Sequence, residues 1–283
     1  SGALSEAAPE LIFKEFARHI GIGGIAMAGI IGIVRSWGII KSAVGLAASE
    51  FKSKGKAVDV AVKRTQRDLP MKIIAIGVVL ALLTTYAFFY FGVFEFNLLY
   101  ATVGILVVAV IAFLFTTVAA NAIAIVGTNP VSGMTLMTLI LASVVMVAVG
   151  LKGTTGIVAA LVICGVVCTA LSMAGGFITD LKIGYWIGTT PAKQQTWKFL
   201  GTLVSAATVG GVIMVLNKTY GFTGDNALVA PQANAMAAVI EPLMSGAGAP
   251  WYLYAIGAAV SLLLAFFTIP VLAFALGMFI TIG

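Results

Sequence analysis

Between Asn121 and Thr135 the chain sets amide and hydroxyl side chains among residues that loosen a helix. Asn121, Asn129, Ser132 and Thr135 carry hydrogen-bonding groups. Pro130 removes a backbone donor, and Gly127 and Gly133 lower helix propensity. The run Gly127–Thr135 (GTNPVSGMT) lies in a charge-free stretch of 56 residues, Phe96 to Leu151. Two helical crossings of a bilayer use only about 40 residues. The surplus therefore stays at membrane depth, and the reading is a helix break over Gly127–Thr135. Non-helical backbone is tolerated there only when it is buried in protein or lines a wet cavity. Asn129, Pro130, Ser132, Gly133 and Thr135, with Asn121, are accordingly the candidate binding residues for a polar solute. The competing role is structural: capping of the broken ends, or for Asn121 a bond to a neighbouring helix.

Ionisable residues at membrane depth are the second kind of candidate. After Glu95 the only carboxylates are Asp180, Asp225 and Glu241, and a buried carboxylate can carry a coupling proton. Asp180 and Glu241 are the proton-coupling candidates. Against them stand an ion pair of Asp180 with Lys182, and a capping or turning role for Glu241, which precedes Pro242. Arg35, at the cytoplasmic end of the first apolar run, meets a carboxylate or snorkels to the interface. His19 reads as a surface residue, and Lys193, Gln194 and Gln195 as an anchor at a helix start after Pro191. Cys164 and Cys168 sit four apart in an apolar run and pack as small hydrophobes. With one histidine in the chain, no structural metal site of about four ligands is expected, and no cofactor is implied. No Ser/His pair, HExxH motif or paired aspartates occur in the spans, so an intramembrane enzyme is not expected.

The elements that must hold these residues are membrane helices. Hydrophobic residues make up 61% of the chain and charged ones 9%, with mean hydropathy +1.12. That leaves too little polar surface for a water-soluble globule. The fold class is an all-α polytopic helical bundle, a single transmembrane domain over residues 1–283 with the lipid bilayer as its partner. Apolar runs begin near Ile20, Ile73, Leu98, Val131, Thr154, Phe199 and Trp251, about seven crossings with broken or re-entrant segments. The first, Ile20 to Ile40, spaces Gly24, Ala28 and Gly32 four apart for close helix approach, and the sixth does the same with Thr202, Ala206 and Gly210. The connection Gly175–Gln195 reads as an amphipathic or partly re-entrant stretch on the cytoplasmic face. Pro270 interrupts the last apolar run. The chain starts without methionine and stops directly after an apolar stretch, which suggests a piece of a longer protein.

Charge sets the orientation. The formal net charge is +6, but eight of the sixteen basic residues fall between Lys41 and Lys72. A cluster confined to one loop is the positive-inside signal rather than a nucleic-acid footprint. Residues 46–72 are thus a basic cytoplasmic loop, and residues 217–250 an external one. The Asp180–Lys198 segment, with three lysines, falls inside by alternation.

Several runs resemble motifs of the oligopeptide transporter (OPT) family. They are ARHIGIGGIAMAGIIGIVRS at Ala17–Ser36, NPVSGMT at Asn129–Thr135, DLKIGYWIGTTPAKQQ at Asp180–Gln195, APQANAMAAVI at Ala230–Ile240 and IPVLAFALGMF at Ile269–Phe279. Each alone is weak, but their order and spacing match as well. The resemblance implies proton-coupled symport of small peptides or peptide-like metal chelates by alternating access, in a plasma (inner) membrane. A channel, a carrier of another small solute, and an inactive partial transporter are the alternatives. The family tends to have arginine where Ala192 stands.

The orientation is testable with Lys54→Cys and Asp225→Cys, each in a full-length background lacking Cys164 and Cys168. An impermeant maleimide on intact cells is expected to label position 225 and spare position 54; the reverse pattern would invert the topology.

Overall fold

A computed structural model describes residues 12–52, 63–126, 131–222, 231–244, 251–267, 269, 271, 274–275 and 278. Among them the chain forms nine α-helices: α1 (Arg18–Arg35), α2 (Trp37–Lys52), α3 (Met71–Phe88), α4 (Leu98–Val126), α5 (Val131–Ala148), α6 (Gly153–Ile187), α7 (Pro191–Tyr220), α8 (Pro231–Met244) and α9 (Trp251–Phe266). No strand occurs among the described residues. Five segments are long and apolar enough to cross a membrane: Arg18–Arg35, Arg64–Val93, Leu98–Ala120, Gly153–Ile187 and Pro191–Tyr220. Met134–Ala148 and Trp251–Phe266 are shorter apolar helices. Together these seven match the seven apolar runs of the sequence, and the protein is a polytopic α-helical membrane protein.

The helix boundaries have local causes. Pro70 precedes α3 in extended geometry, φ −63° and ψ 137°. The Asn97 side chain accepts the orphan amides of Leu99 and Tyr100 at 3.1 and 3.4 Å, capping α4. Gly188, at φ +75°, ends α6, and Pro191 opens α7 at its first turn.

Two boundaries differ from the sequence reading. The first run does not continue to Ile40 as one helix, because Ser36 leaves helical geometry at φ −91°, ψ 6° and a new helix starts at Trp37. The connection expected over Gly175–Gln195 is almost wholly helical, since α6 runs on to Ile187 and only residues 188–190 form the turn. Gly184 serves packing rather than unwinding: a Cβ there would run into the Gln194 side chain and Thr189 Oγ1.

The bundle is closed by α1 against α9. A Cβ on Gly23 would meet the backbone of Tyr254, and one on Gly257 the carbonyl of Ile20. Ser261 Oγ donates to Gly24 O at 3.1 Å, and Arg35 Nη2 donates to Ala265 O at 2.8 Å. Contacts climb together in residue number, so the two helices run parallel. Parallel entry from the same face is what the charge-derived topology requires of the first and last crossings. Arg35 meets no carboxylate among the described residues; it satisfies a carbonyl near the C-terminus of α9, where a cation is favoured. His19 is half-buried beside Tyr254, ring centroids 5.7 Å apart, rather than on the surface.

A second layer packs α4, α5 and α6, with Ile111, Phe115, Leu139, Ile163 and Val167 buried between them. Within the 217–250 segment, α8 lies against α5 and α6 and buries Val239, Ile240 and Met244. That stretch is thus partly a packed helix and not loop throughout. By contrast, α7 buries none of its residues in this chain. Of the small-residue face expected on it, Thr202 reaches the Met173 sulfur of α6 at 3.8 Å, while Ala206 and Gly210 are exposed.

Gly257→Ala is expected to destabilise the fold by about 1–3 kcal/mol through overpacking. Gly77→Ala, where a Cβ meets nothing within 4 Å, should be neutral or slightly stabilising. Thermal unfolding of the purified protein in detergent reads both, and equal melting temperatures for the pair would refute the close-approach account.

Candidate functional site

The polar run at the centre of the sequence reading falls at the junction of α4 and α5. Asn121 lies on the last turns of α4, and Ser132 and Gly133 on the first turn of α5. Asn129 and Pro130 lie outside the described residues. Of the break expected over Gly127–Thr135, residues 131–135 are instead helical, in the first turns of α5, and 127–130 lie outside the described residues.

Thr135 is buried, 8% exposed, and faces α6. The Cys168 thiol donates to Thr135 Oγ1 at 3.3 Å, and Cys164 Sγ to Thr135 O at 3.5 Å. The two sulfurs are 3.6 Å apart. Both thiols are free, on one face of α6, and lock α5 to it.

This contact fixes depth. From Thr135 back to the start of α5 is about 6 Å of helix, while from Cys168 on to the end of α6 is about 28 Å. The start of α5 is thus recessed by about 20 Å from the C-terminal end of α6. At the other end, a Cβ on Gly156 would touch Met244 Sδ at 3.1 Å. The C-terminus of α8 is therefore level with the start of α6, and α8, about 21 Å long, packs against α5 and α6. Two short helices, α5 and α8, thus lie beside the long α6. Helix starts carry orphan N–H groups and the positive end of the helix dipole, which suit an anionic group.

Glu241, on the last turn of α8 before Pro242, is exposed. Asp180 is not paired with Lys182, whose ammonium instead lies over the Trp186 ring, 5.9 Å from its centroid. Its partner is Lys198 of α7, with both side chains partly exposed, and Gln194 Nε2 donates to Asp180 O at 3.3 Å. The pair belongs to a wider clamp. Gln195 Oε1 accepts from Leu69 N at 2.8 Å, and its Nε2 donates to Asp68 Oδ1 at 3.2 Å. Ala192 N donates to Arg67 O at 2.9 Å, and Arg64 Nη2 to Gly188 O at 3.0 Å. The anchor expected of Gln194 and Gln195 thus holds the α6–α7 turn to the segment entering α3.

Sequence reasoning missed Lys198, Arg64 and Asp68. A signal for the first existed: Asp180 and Lys198 each stand nine residues from Thr189, the register of a helical hairpin turning there. Also unanticipated was a cavity of about 200 Å³ between α1, α4 and α5, with Met134 and Met137 in its wall.

The family model described as OPT oligopeptide transporter protein matches residues 3–283. A protein of Haemophilus influenzae named "Putative oligopeptide transporter" is 24% identical, over 83% of this chain and 41% of that protein. The chain thus spans less than half the length of this relative. No solved structure matches it.

Gln195→Ala removes both bonds to the segment before α3. Hydrogen exchange at the Leu69 amide is expected to rise about fivefold to tenfold, with faster tryptic cleavage after Arg67. Lys193→Ala should leave both unchanged; unchanged exchange in Gln195→Ala would show that the clamp does not hold the segment.

Proposed function

The chain belongs to the OPT oligopeptide transporter family, and from that premise we propose that it supplies the solute-binding core of a proton-coupled symporter of small peptides or peptide-like metal chelates. The observation that carries this reading is the recessed start of α5, a polar run held about 20 Å from the end of α6. Transporters place solute sites where discontinuous helices expose backbone groups at depth. The short helix α5 supplies such a start, and a peptide carries both a carboxylate for the helix N–H groups and an ammonium for carbonyls.

The side chains divide by role in this proposal. Asn129, Ser132 and Asn121 contact the solute, while Pro130 and Gly133 shape the backbone between the helices. Thr135, already engaged by Cys168, is a positioning residue that fixes the depth of α5. Glu241 is the favoured proton carrier, because it is carried on a short helix that packs against α5 and α6. Asp180 has Lys198 as a partner, and its expected role is to hold the α6–α7 hairpin. The working protein is an integral membrane transporter rather than an enzyme.

Uptake into proteoliposomes of the full-length protein, with an imposed pH gradient, tests each assignment. Asn129→Ala is expected to raise KM about tenfold, the cost of leaving a dry partner group unpaired. Thr135→Ala should lower the amount of active carrier with little change in KM, and Thr135→Ser should restore it. Glu241→Gln is expected to abolish proton-driven accumulation while peptide exchange persists, whereas Asp180→Asn should spare coupling. Uptake indifferent to the gradient would remove the coupling, and absence of counterflow would point to a channel instead.

A further inference from the structure

The geometry points to the cavity between α1, α4 and α5 as a specificity pocket that receives an apolar side chain of the transported solute. This rests on the reading above that the solute is a small peptide. The cavity holds about 200 Å³ and is lined by Ile25, Gly32 and Ile33 of α1, Phe115 of α4, and Met134 and Met137 of α5. None of these side chains bears a hydrogen-bonding group. Water is stable in a cavity only with two to four polar partners, and an apolar cavity of about 150 Å³ stays dry and takes a benzene-sized molecule. The space therefore suits a phenyl, isobutyl or sec-butyl group and rejects an ion or a hydroxylated solute.

Position ties the cavity to the solute path. Met134 lies within the polar run Asn121–Thr135 and also in the cavity wall. A peptide held by its backbone at the start of α5 has the cavity about one helical turn away along the same helix, from Val131 to Met134. The lining is tolerant in shape as well. Met134 and Met137 are unbranched and adapt to different occupants. The α1 side of the wall is held back by Gly32, where an added Cβ meets nothing within 4 Å. The pocket thus selects for an apolar side chain without demanding one particular shape. A bilayer acyl chain would match the same surface, but it has no reason to lie beside the polar run.

Full-length protein in proteoliposomes, given trialanine and alanyl-phenylalanyl-alanine, provides the test. Gly32→Leu fills the cavity from a position with room for its Cβ. It is expected to raise KM for the phenylalanine peptide about tenfold or more while trialanine stays within about twofold. Ile33→Ala enlarges the cavity and should shift preference towards the phenylalanine peptide. Gly38→Leu on α2, also at an open position, should change neither. Thermal unfolding of each variant confirms that folded protein is compared. Equal loss for both peptides in Gly32→Leu, or unchanged selectivity in both cavity variants, overturns the pocket. A lipid occupant would show as stability that depends on acyl-chain length while peptide selectivity stays fixed, which also overturns it. If the unmodified protein takes up neither peptide, the peptide reading itself fails, a result distinct from loss of selectivity.

Discussion

The close approach of α1 and α9 is the contact on which the remaining architecture depends. Within hydrocarbon, helices gain nothing from leaving lipid, so association relies on packing and on the few hydrogen bonds that cross between them. Gly23 and Gly257 strip the seam to backbone, and each faces a main chain where even one methyl group would not fit. The Ser261 hydroxyl and the Arg35 guanidinium then bond across it at two levels. Because these partners are more than two hundred residues apart in sequence, the seam brings the first membrane helix back to the last. It also sets α1 where Gly29 admits the Met137 thioether of α5, so one wall of the cavity is a consequence of the seam.

How much of this was legible beforehand depended on the range of the signal. Apolar runs and Pro191 act within a few residues, and they marked the helices well. The bend at Ser36 was missed because no proline or glycine stands at that position, and the neighbouring residues continue an apolar pattern. The length of α6 was underestimated because Asp180, Lys182 and several glycines, mixed with aromatic residues, resemble an amphipathic or re-entrant stretch. Their resolution is tertiary, through Lys198 on α7 and the Gln194 side chain over Gly184. For the same reason Asp180 was assigned its near neighbour Lys182, when the true partner required knowing that α6 and α7 fold into a hairpin. At the polar run, the residue types were readable but the extent of the break was not, since helix α5 resumes at Val131 despite Gly133. Thr135 belonged to the motif and yet turned out to face two cysteines, a relation set by how α5 and α6 dock.

Exposure means something different on α3 and α7 than it would in water. Both helices are almost wholly uncovered by the rest of the chain, and both contain threonines. Those hydroxyls do not present free donors. Thr84 and Thr85 donate to Leu80 O and Ala81 O at 2.9 and 2.8 Å. Thr196, Thr202, Thr208 and Thr219 on α7 likewise bond back four residues, at 2.8–2.9 Å. Such back-bonding is slightly unfavourable to an isolated helix. In a bilayer it satisfies polar groups that would otherwise face hydrocarbon unpaired. The surfaces are thus compatible with an apolar environment despite their residue types.

That saturation throws the polar run between α4 and α5 into relief. On α3 and α7 the hydroxyls of Thr84, Thr85, Thr196, Thr202, Thr208 and Thr219 are folded back onto their own helix, and Arg64, Asp68, Asp180 and Lys198 gather at the clamp around Gly188. The sequence around the start of α5 instead gathers Asn121, Asn129, Ser132 and Thr135, and that start is recessed from the end of α6 by about 20 Å. The first turn of a helix has N–H groups that its own hydrogen-bond ladder cannot satisfy. Some partner must meet them, from protein, from ordered water or from a bound solute. A site that alternates between water and solute, with an apolar cavity beside it to sort side chains, meets that requirement without leaving buried donors unpaired at either stage.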